Sequence, residues 1–277
     1  MDFEVIAEGL AFPEGPVVMQ DGSVIVVEER AGRITRCWKG RKEVIATPGG
    51  GPNGLAIGPD GALYHCNNGG HDGEEGRVER IDLATGKCER LYDACDGVAL
   101  SAPNDLMFDC DGNIWFSDLG RIGEKAKDWG AMYCASPDGS KIVRVVQRAL
   151  SYNGIGVSPD MTTVYAADTY SARLWAVERR AELQQPRLVG TAPGQVFLDS
   201  LAMTAAGNVA VAAVTGSAIA TFTPQGEVTM TPVADRLVTN IAFGGADMLD
   251  AWLTFSGDGT LVKTRWHEPG MKLVYSA

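Results

Sequence analysis

"NDLMFDCDGNIWFSD", residues 104–118, places two short apolar runs on either side of a Cys-Asp-Gly turn. Asp-Gly is a tight-turn signature, because glycine accepts the positive φ that such a turn needs. The flanks carry β-branched and aromatic residues, which suit a pleated surface. The stretch therefore reads as a hairpin with a polar residue, Asn104, at its entrance. Five more segments follow the same plan: "EGPVVMQDGSVIVVE" from Glu14, "NGLAIGPDGALYHCN" from Asn53, "NGIGVSPDMTTVYAAD" from Asn153, "DSLAMTAAGNVAVAA" from Asp199 and "NIAFGGADMLDAWLT" from Asn240. Their starts are 39, 51, 49, 46 and 41 residues apart.

A repeat of this length holds four strands and needs no helix between them. One such sheet cannot bury both faces alone, whereas six packed around an axis can. The sequence thus predicts an all-β, six-bladed β-propeller, with residues 1–277 forming one domain. A double β-sandwich leaves the six similar units unexplained. Ring closure requires the chain ends. "FEVIAE" at 3–8 and "KLVYS" at 272–276 both look strand-like, and the expectation is that they pair in the last blade.

Composition narrows the function. A net charge of −11 argues against a nucleic-acid partner, which calls for a basic face. No stretch approaches the roughly 20 apolar residues of a membrane span, and "MDFEVIAEGL" has no secretory pattern. The expectation is a cytoplasmic protein, monomer or small homo-oligomer, without membrane association. Cys37, Cys66, Cys88, Cys95, Cys110 and Cys134 lack the paired spacing of a zinc site and read as reduced thiols. No nucleotide-binding glycine motif and no serine-nucleophile elbow is present.

In a propeller the innermost strand of each blade lines the channel, and the residue at its start stands at one mouth. The repeats therefore aim Glu14, Asn53, Asn104, Asn153, Asp199 and Asn240 at one axis. Two are carboxylates, four are amides and none is basic. Oxygen donors of this kind suit a hard divalent cation, which also relieves the repulsion between the acids. Each second strand returns to the same mouth and ends at Glu28, Asn67, Asp118 or Asp168, which either orient the ligands or line a pocket. Two polar loops, 65–76 with His65 and His71 and 120–130 with Trp129, are where specificity is expected.

"FPEGPV", "PNDLMFDCDGNIWFSD", "YNGIGVSPDMTTVYAADT" and "TNIAFGG" resemble the gluconolactonase, regucalcin (senescence marker protein) and luciferin-regenerating enzyme family, in the right order and from about residue 9 to 265. The resemblance implies one divalent metal ion held by Glu14, Asn153 and Asp199. Calcium leads, and Zn, Mn, Mg and Fe(II) are the other candidates. It also implies that Asn104 faces metal and substrate, and Asn67 and Trp129 are expected to touch substrate too. Sugar-lactone hydrolases of the animal branch carry an arginine where this chain has Ala102. A preference for less hydroxylated, more apolar lactones is therefore expected.

The resulting expectation is a metal-dependent lactone hydrolase acting on a small-molecule lactone, with water as nucleophile and Asp199 as ligand and general base. Two alternatives stay open at this point. One is hydrolysis of another ester or a phosphotriester at the same site. The other is a non-catalytic metal-binding propeller.

Overall fold

The computed structural model describes residues 1–70 and 73–276. Six four-stranded antiparallel sheets are arranged as the blades of a propeller. The first blade runs Pro13–Val18, Val24–Glu28, Arg33–Trp38 and Arg41–Ala46. The innermost strands of the next five blades are Pro52–Ile57, Pro103–Phe108, Tyr152–Val157, Leu198–Met203 and Val238–Gly244. Each contacts the innermost strands of its two neighbours, and the last contacts the first, so the cycle closes. The described residues contain two helical segments, the 3-10 turns Glu29–Ala31 and Val214–Gly216.

Packing explains why the strands read as nearly continuous apolar runs. A blade is covered on both faces, so both sets of alternating side chains are buried. Val24 and Val26 face the sixth blade with Trp252 and Leu261, while Ile25 and Val27 face the second with Leu55 and Leu63. Likewise Ile114 and Phe116 pack against the second blade and Trp115 against the fourth. Each of the six gaps between blades holds one apolar cluster. The hairpin turns follow the expected chemistry, with Gly112 at φ 82°. The fourth repeat lacks that glycine, and Met161 takes φ 58° in its place, at a cost of about 1 kcal/mol.

Closure differs from the expectation in one partner. The sixth sheet consists of Val238–Gly244, Asp250–Phe255, Thr260–Arg265 and, at its outer edge, Glu4–Ala7. Glu4 pairs with Lys263 and Val5 with Val262. Residues 272–276 form no strand. The edge they would need is already taken by Glu4–Ala7, and the chain turns away at Gly270, whose N–H donates to Met248. The segment crosses the far end of the channel instead. The Met271 N–H donates to the Met203 carbonyl, and the Tyr275 ring stands edge-on to Phe108 at 5.8 Å. Above it lies a cavity of about 1120 Å³ walled by Val17, Leu55, Leu106, Ile155, Leu201 and Ile241.

All six cysteines are free. Among the described residues no helix is long and apolar enough to cross a membrane.

Candidate metal and active site

A repeated backbone contact fixes which residues share a level at the mouth. The first N–H beyond each blade's second strand donates to a carbonyl just ahead of the innermost strand. These acceptors are Phe12, Gly51, Ala102, Ser151, Phe197 and Leu237. Two residues further on stand Glu14, Asn53, Asn104, Asn153, Asp199 and Thr239. The structure thus brings five of the six expected residues to one level. In the sixth blade Thr239 takes that backbone level, and Asn240, one residue further on, still reaches the ring through its amide on Glu14. The pairing of Val238 with Phe255 and Asn240 with Thr254 sets this phase.

Every innermost strand has a register shift at or just after this level. Bulges re-aim side chains and are common beside active sites. Here each lets two successive residues approach the axis. The second residue is Gly15, Gly54, Asp105, Gly154, Ser200 or Asn240. Space there is scarce: a Cβ on Gly54 would lie 2.3 Å from an Asp105 carboxylate oxygen. Asp105 and Asn240 face the cavity below. The sequence reading missed Asp105, although it is the one acid at a position that is glycine in three other repeats.

The electrostatics are those of acids crowded away from water. Burial pushes Glu14 up to about 7, and the nearby charge of Glu29 adds to this. Hydrogen bonds from Asn240, Thr239 and the Gly15 N–H oppose the rise. The Asn240 amide donates to Glu14 Oε2 at 3.0 Å. Asp105 is likewise pushed up to about 7 by burial, with Glu14 as a further cause. Asp199 keeps part of its surface open to the mouth. Even so, the surrounding protein, and then the charges of Glu14 and Asp105, hold it well above the ordinary carboxylate range.

The amides point the same way. The Oδ1 atoms of Asn53, Asn104 and Asn153 are buried and accept no hydrogen bond. Most buried polar atoms have a partner, so three orphans at one level call for an explanation. The Asn153 amide nitrogen donates to Thr169 Oγ1 at 3.2 Å, which fixes the orientation of that side chain. Three unpaired carbonyl oxygens and two destabilised carboxylates fit a hard cation. Among the described residues no three His, Cys, Asp or Glu side chains form a metal cluster, so a cation here would depend on the amides.

The second-strand ends are spent on the backbone. Glu28 accepts from the Ala11 N–H at 2.8 Å and binds Arg33 with both oxygens. Asn67 Oδ1 accepts from the Gly51 and Gly69 N–H groups, and its Nδ2 donates to the Gly49 carbonyl and to Glu79. No polar atom of Asn67 is left for a ligand. Its place is therefore beneath the loop and not against substrate. Asp118 accepts from the Ser101, Ala102 and Gly120 N–H groups, and Asp168 accepts from the Ser151 hydroxyl. Each of the four holds the segment that delivers its own blade's ring residue. Asp118→Ala should strand three N–H donors, lowering stability by about 1–3 kcal/mol in urea unfolding. An unchanged midpoint would show that the clamp is dispensable.

His65 is fully buried inside the second blade, with Nε2 3.4 Å from Glu79, and burial lowers it to about 4. It does not reach the mouth. His71 lies outside the described residues. Trp129 is exposed on the loop between the second and third strands of the third blade, at the mouth end.

Comparison with known proteins follows the same lines. The family model described as "SMP-30/Gluconolactonase/LRE-like region" matches residues 12–257. The gluconolactonase of Zymomonas mobilis is 28% identical over 199 residues, 62% of this chain and 53% of that protein. The chain spans about half the length of the curated relatives it matches. A gluconolactonase structure from Xanthomonas campestris superposes with a TM-score of 0.79 at 23% identity, covering 95% of this chain and 89% of that one. The calcium-binding protein regucalcin of Agrobacterium tumefaciens gives 0.75 at 20% identity, covering 97% and 99%. With its repeats, its closed ring and a family match over most of its length, the chain belongs to the SMP-30/gluconolactonase/LRE-like family.

Proposed function

We propose that the protein is a metal-dependent hydrolase that opens a lactone ring. The observation that carries this reading is the trio of buried, unpaired amide oxygens at the level of Glu14 and Asp199. The lactonase and gluconolactonase names of the relatives support the substrate class, and the name of the regucalcin neighbour supports calcium. Glu14, Asn153 and Asp199 would hold the ion, and Asn53 and Asn104 stand at the same level. When bound, the ion supplies Lewis-acid polarisation of the lactone carbonyl.

The remaining work falls to side chains. Asn104 hydrogen-bonds the carbonyl oxygen as negative charge develops on it. An Asp199 carboxylate oxygen accepts a proton from the attacking water as the water oxygen bonds to the carbonyl carbon. The same oxygen returns the proton to the ring oxygen as the C–O bond breaks, leaving a hydroxy acid. Glu14 keeps its charge for the cation, with Asn240 and Gly15 donating to it.

The test is a panel of lactones, an aryl ester and a phosphotriester run on metal-free protein, with calcium, zinc, manganese, magnesium and iron(II) added back singly. Lactone turnover should vanish with chelator and return with one ion, calcium first. Turnover that persists in chelator would remove the metal from the reading. Preference for the phosphotriester would reassign the substrate.

A further inference from the structure

The loops around the mouth carry an apolar collar that the oxygen ring does not use. Trp129 is 62% exposed, Ile122 63%, Phe197 44% and Leu150 43%. Ile122 and Trp129 lie on the loop between strands Ile114–Asp118 and Gly130–Ala135, and Leu150 lies in the link from the third blade to the fourth. Phe197 immediately precedes the fifth blade's innermost strand. All four therefore sit at the end of the blades where Glu14 and Asp199 stand. Single exposed apolar residues are ordinary; four at the end of the molecule that holds the acids point to a use there.

Two of the rings in this region are tied to the candidate site. Phe197 stands edge-on to Tyr170 at 5.5 Å. It is two residues ahead of Asp199, and Tyr170 follows Thr169, the partner of the Asn153 amide. The level that Phe197 occupies is uncharged in every blade: Phe12, Gly51, Ala102, Ser151 and Leu237 are its equivalents. The loop bearing Trp129 is held in place. Ser101 donates to Asp128 at 2.7 Å, and the Lys127 ammonium donates to the carbonyls of Leu119 and Asp128. An apolar surface fixed in this way binds without first having to be ordered.

We infer that Phe197, Tyr170 and Trp129 grip an apolar alkyl or aryl substituent carried by the substrate ring and so set specificity. The inference rests on the lactone-hydrolase reading above. An alkyl chain laid against these rings leaves water, while the lactone carbonyl reaches Asn104 and Asp199. A polyhydroxylated ring would instead lose hydrogen bonds to water against the faces of these rings.

A series of γ-lactones lengthening from γ-butyrolactone to γ-decalactone tests this on the metal-loaded protein. kcat/KM should rise by up to about fourfold per added methylene, the rate equivalent of burying one CH2. Phe197→Ala and Trp129→Ala should flatten that slope, and Leu188→Ala, on an outer strand of the fourth blade, should keep it. A parental kcat/KM independent of chain length would overturn the inference. Calorimetric binding of the matching lactams gives a second readout that needs no turnover. Affinity that grows with chain length in the parent, but not in Phe197→Ala, supports the collar even if no lactone is hydrolysed; length-independent affinity rejects it. Absence of turnover with every lactone would reject the hydrolase reading alone.

Discussion

Asp199→Asn should lower kcat by about 10²–10⁴, the usual worth of a general base, while metal affinity falls far less. The substitution keeps an oxygen ligand and nearly the same volume and removes charge and basicity. Measurements belong at saturating metal, so that occupancy is not mistaken for chemistry. Asn153→Ala is the companion variant. Its side chain offers the cation an unpaired carbonyl oxygen, so its loss should weaken binding and be partly rescued by added ion. Parental kcat in fully loaded Asp199→Asn would leave Asp199 as a ligand only. Asp105, at the next level down, is then the first carboxylate to test as base, since Glu28, Asp118 and Asp168 are committed to the segments they hold.

Metal-free protein should lose stability as the pH rises from about 5 to 8, and a bound cation should cancel the loss. Folded Glu14 holds its proton up to about 7, against the usual 4.5 in the unfolded chain. Between those values the folded state binds more protons than the unfolded state, so stability falls with rising pH. The displacement is worth on the order of 3 kcal/mol. Asp105, raised from 3.8 to about 7, acts with the same sign, and His65, lowered from 6.5 to about 4, offsets part of the loss below about 6.5. A cation held by Glu14 must displace its proton, so its affinity should climb as the pH rises toward about 7. Melting in chelator at pH 5 and pH 8, for the parent and for Glu14→Gln, checks the sign and its source. Equal pH dependence in the two proteins would clear Glu14 of responsibility.

All six blades were legible because spacing and, in most repeats, turn chemistry agree, as in "CDG" at 110–112 and "PDG" at 59–61. In the sixth, the backbone level of the ring residue slipped by one. Its Asn240 imitates the ring asparagines in sequence, and only the register with Asp250–Phe255 shows that Thr239 stands at their level. Asp105 escaped notice because a repeat comparison looks for what is shared, and an acid in a glycine position is a departure. Residues 272–276 have a strand's composition, yet pairing depends on which edge is free, and that is a non-local fact. The roles of Glu28, Asn67, Asp118 and Asp168 needed coordinates as well. A carboxylate holding backbone N–H groups and one facing a ligand look the same in a sequence.

The seam between Glu4–Ala7 and Thr260–Arg265 ties residues more than 250 positions apart in the chain. During synthesis the first of these strands emerges long before its partner exists. Until then the sixth blade lacks an edge, and the strand that will cover it has nothing to pair with. Closing so long a loop carries an entropic cost that local hairpins do not. The blades can therefore form in order, hairpin by hairpin, while the ring shuts only at the end. Because the seam is held by hydrogen bonds and packing alone, it is also the natural place for the ring to open under mechanical load.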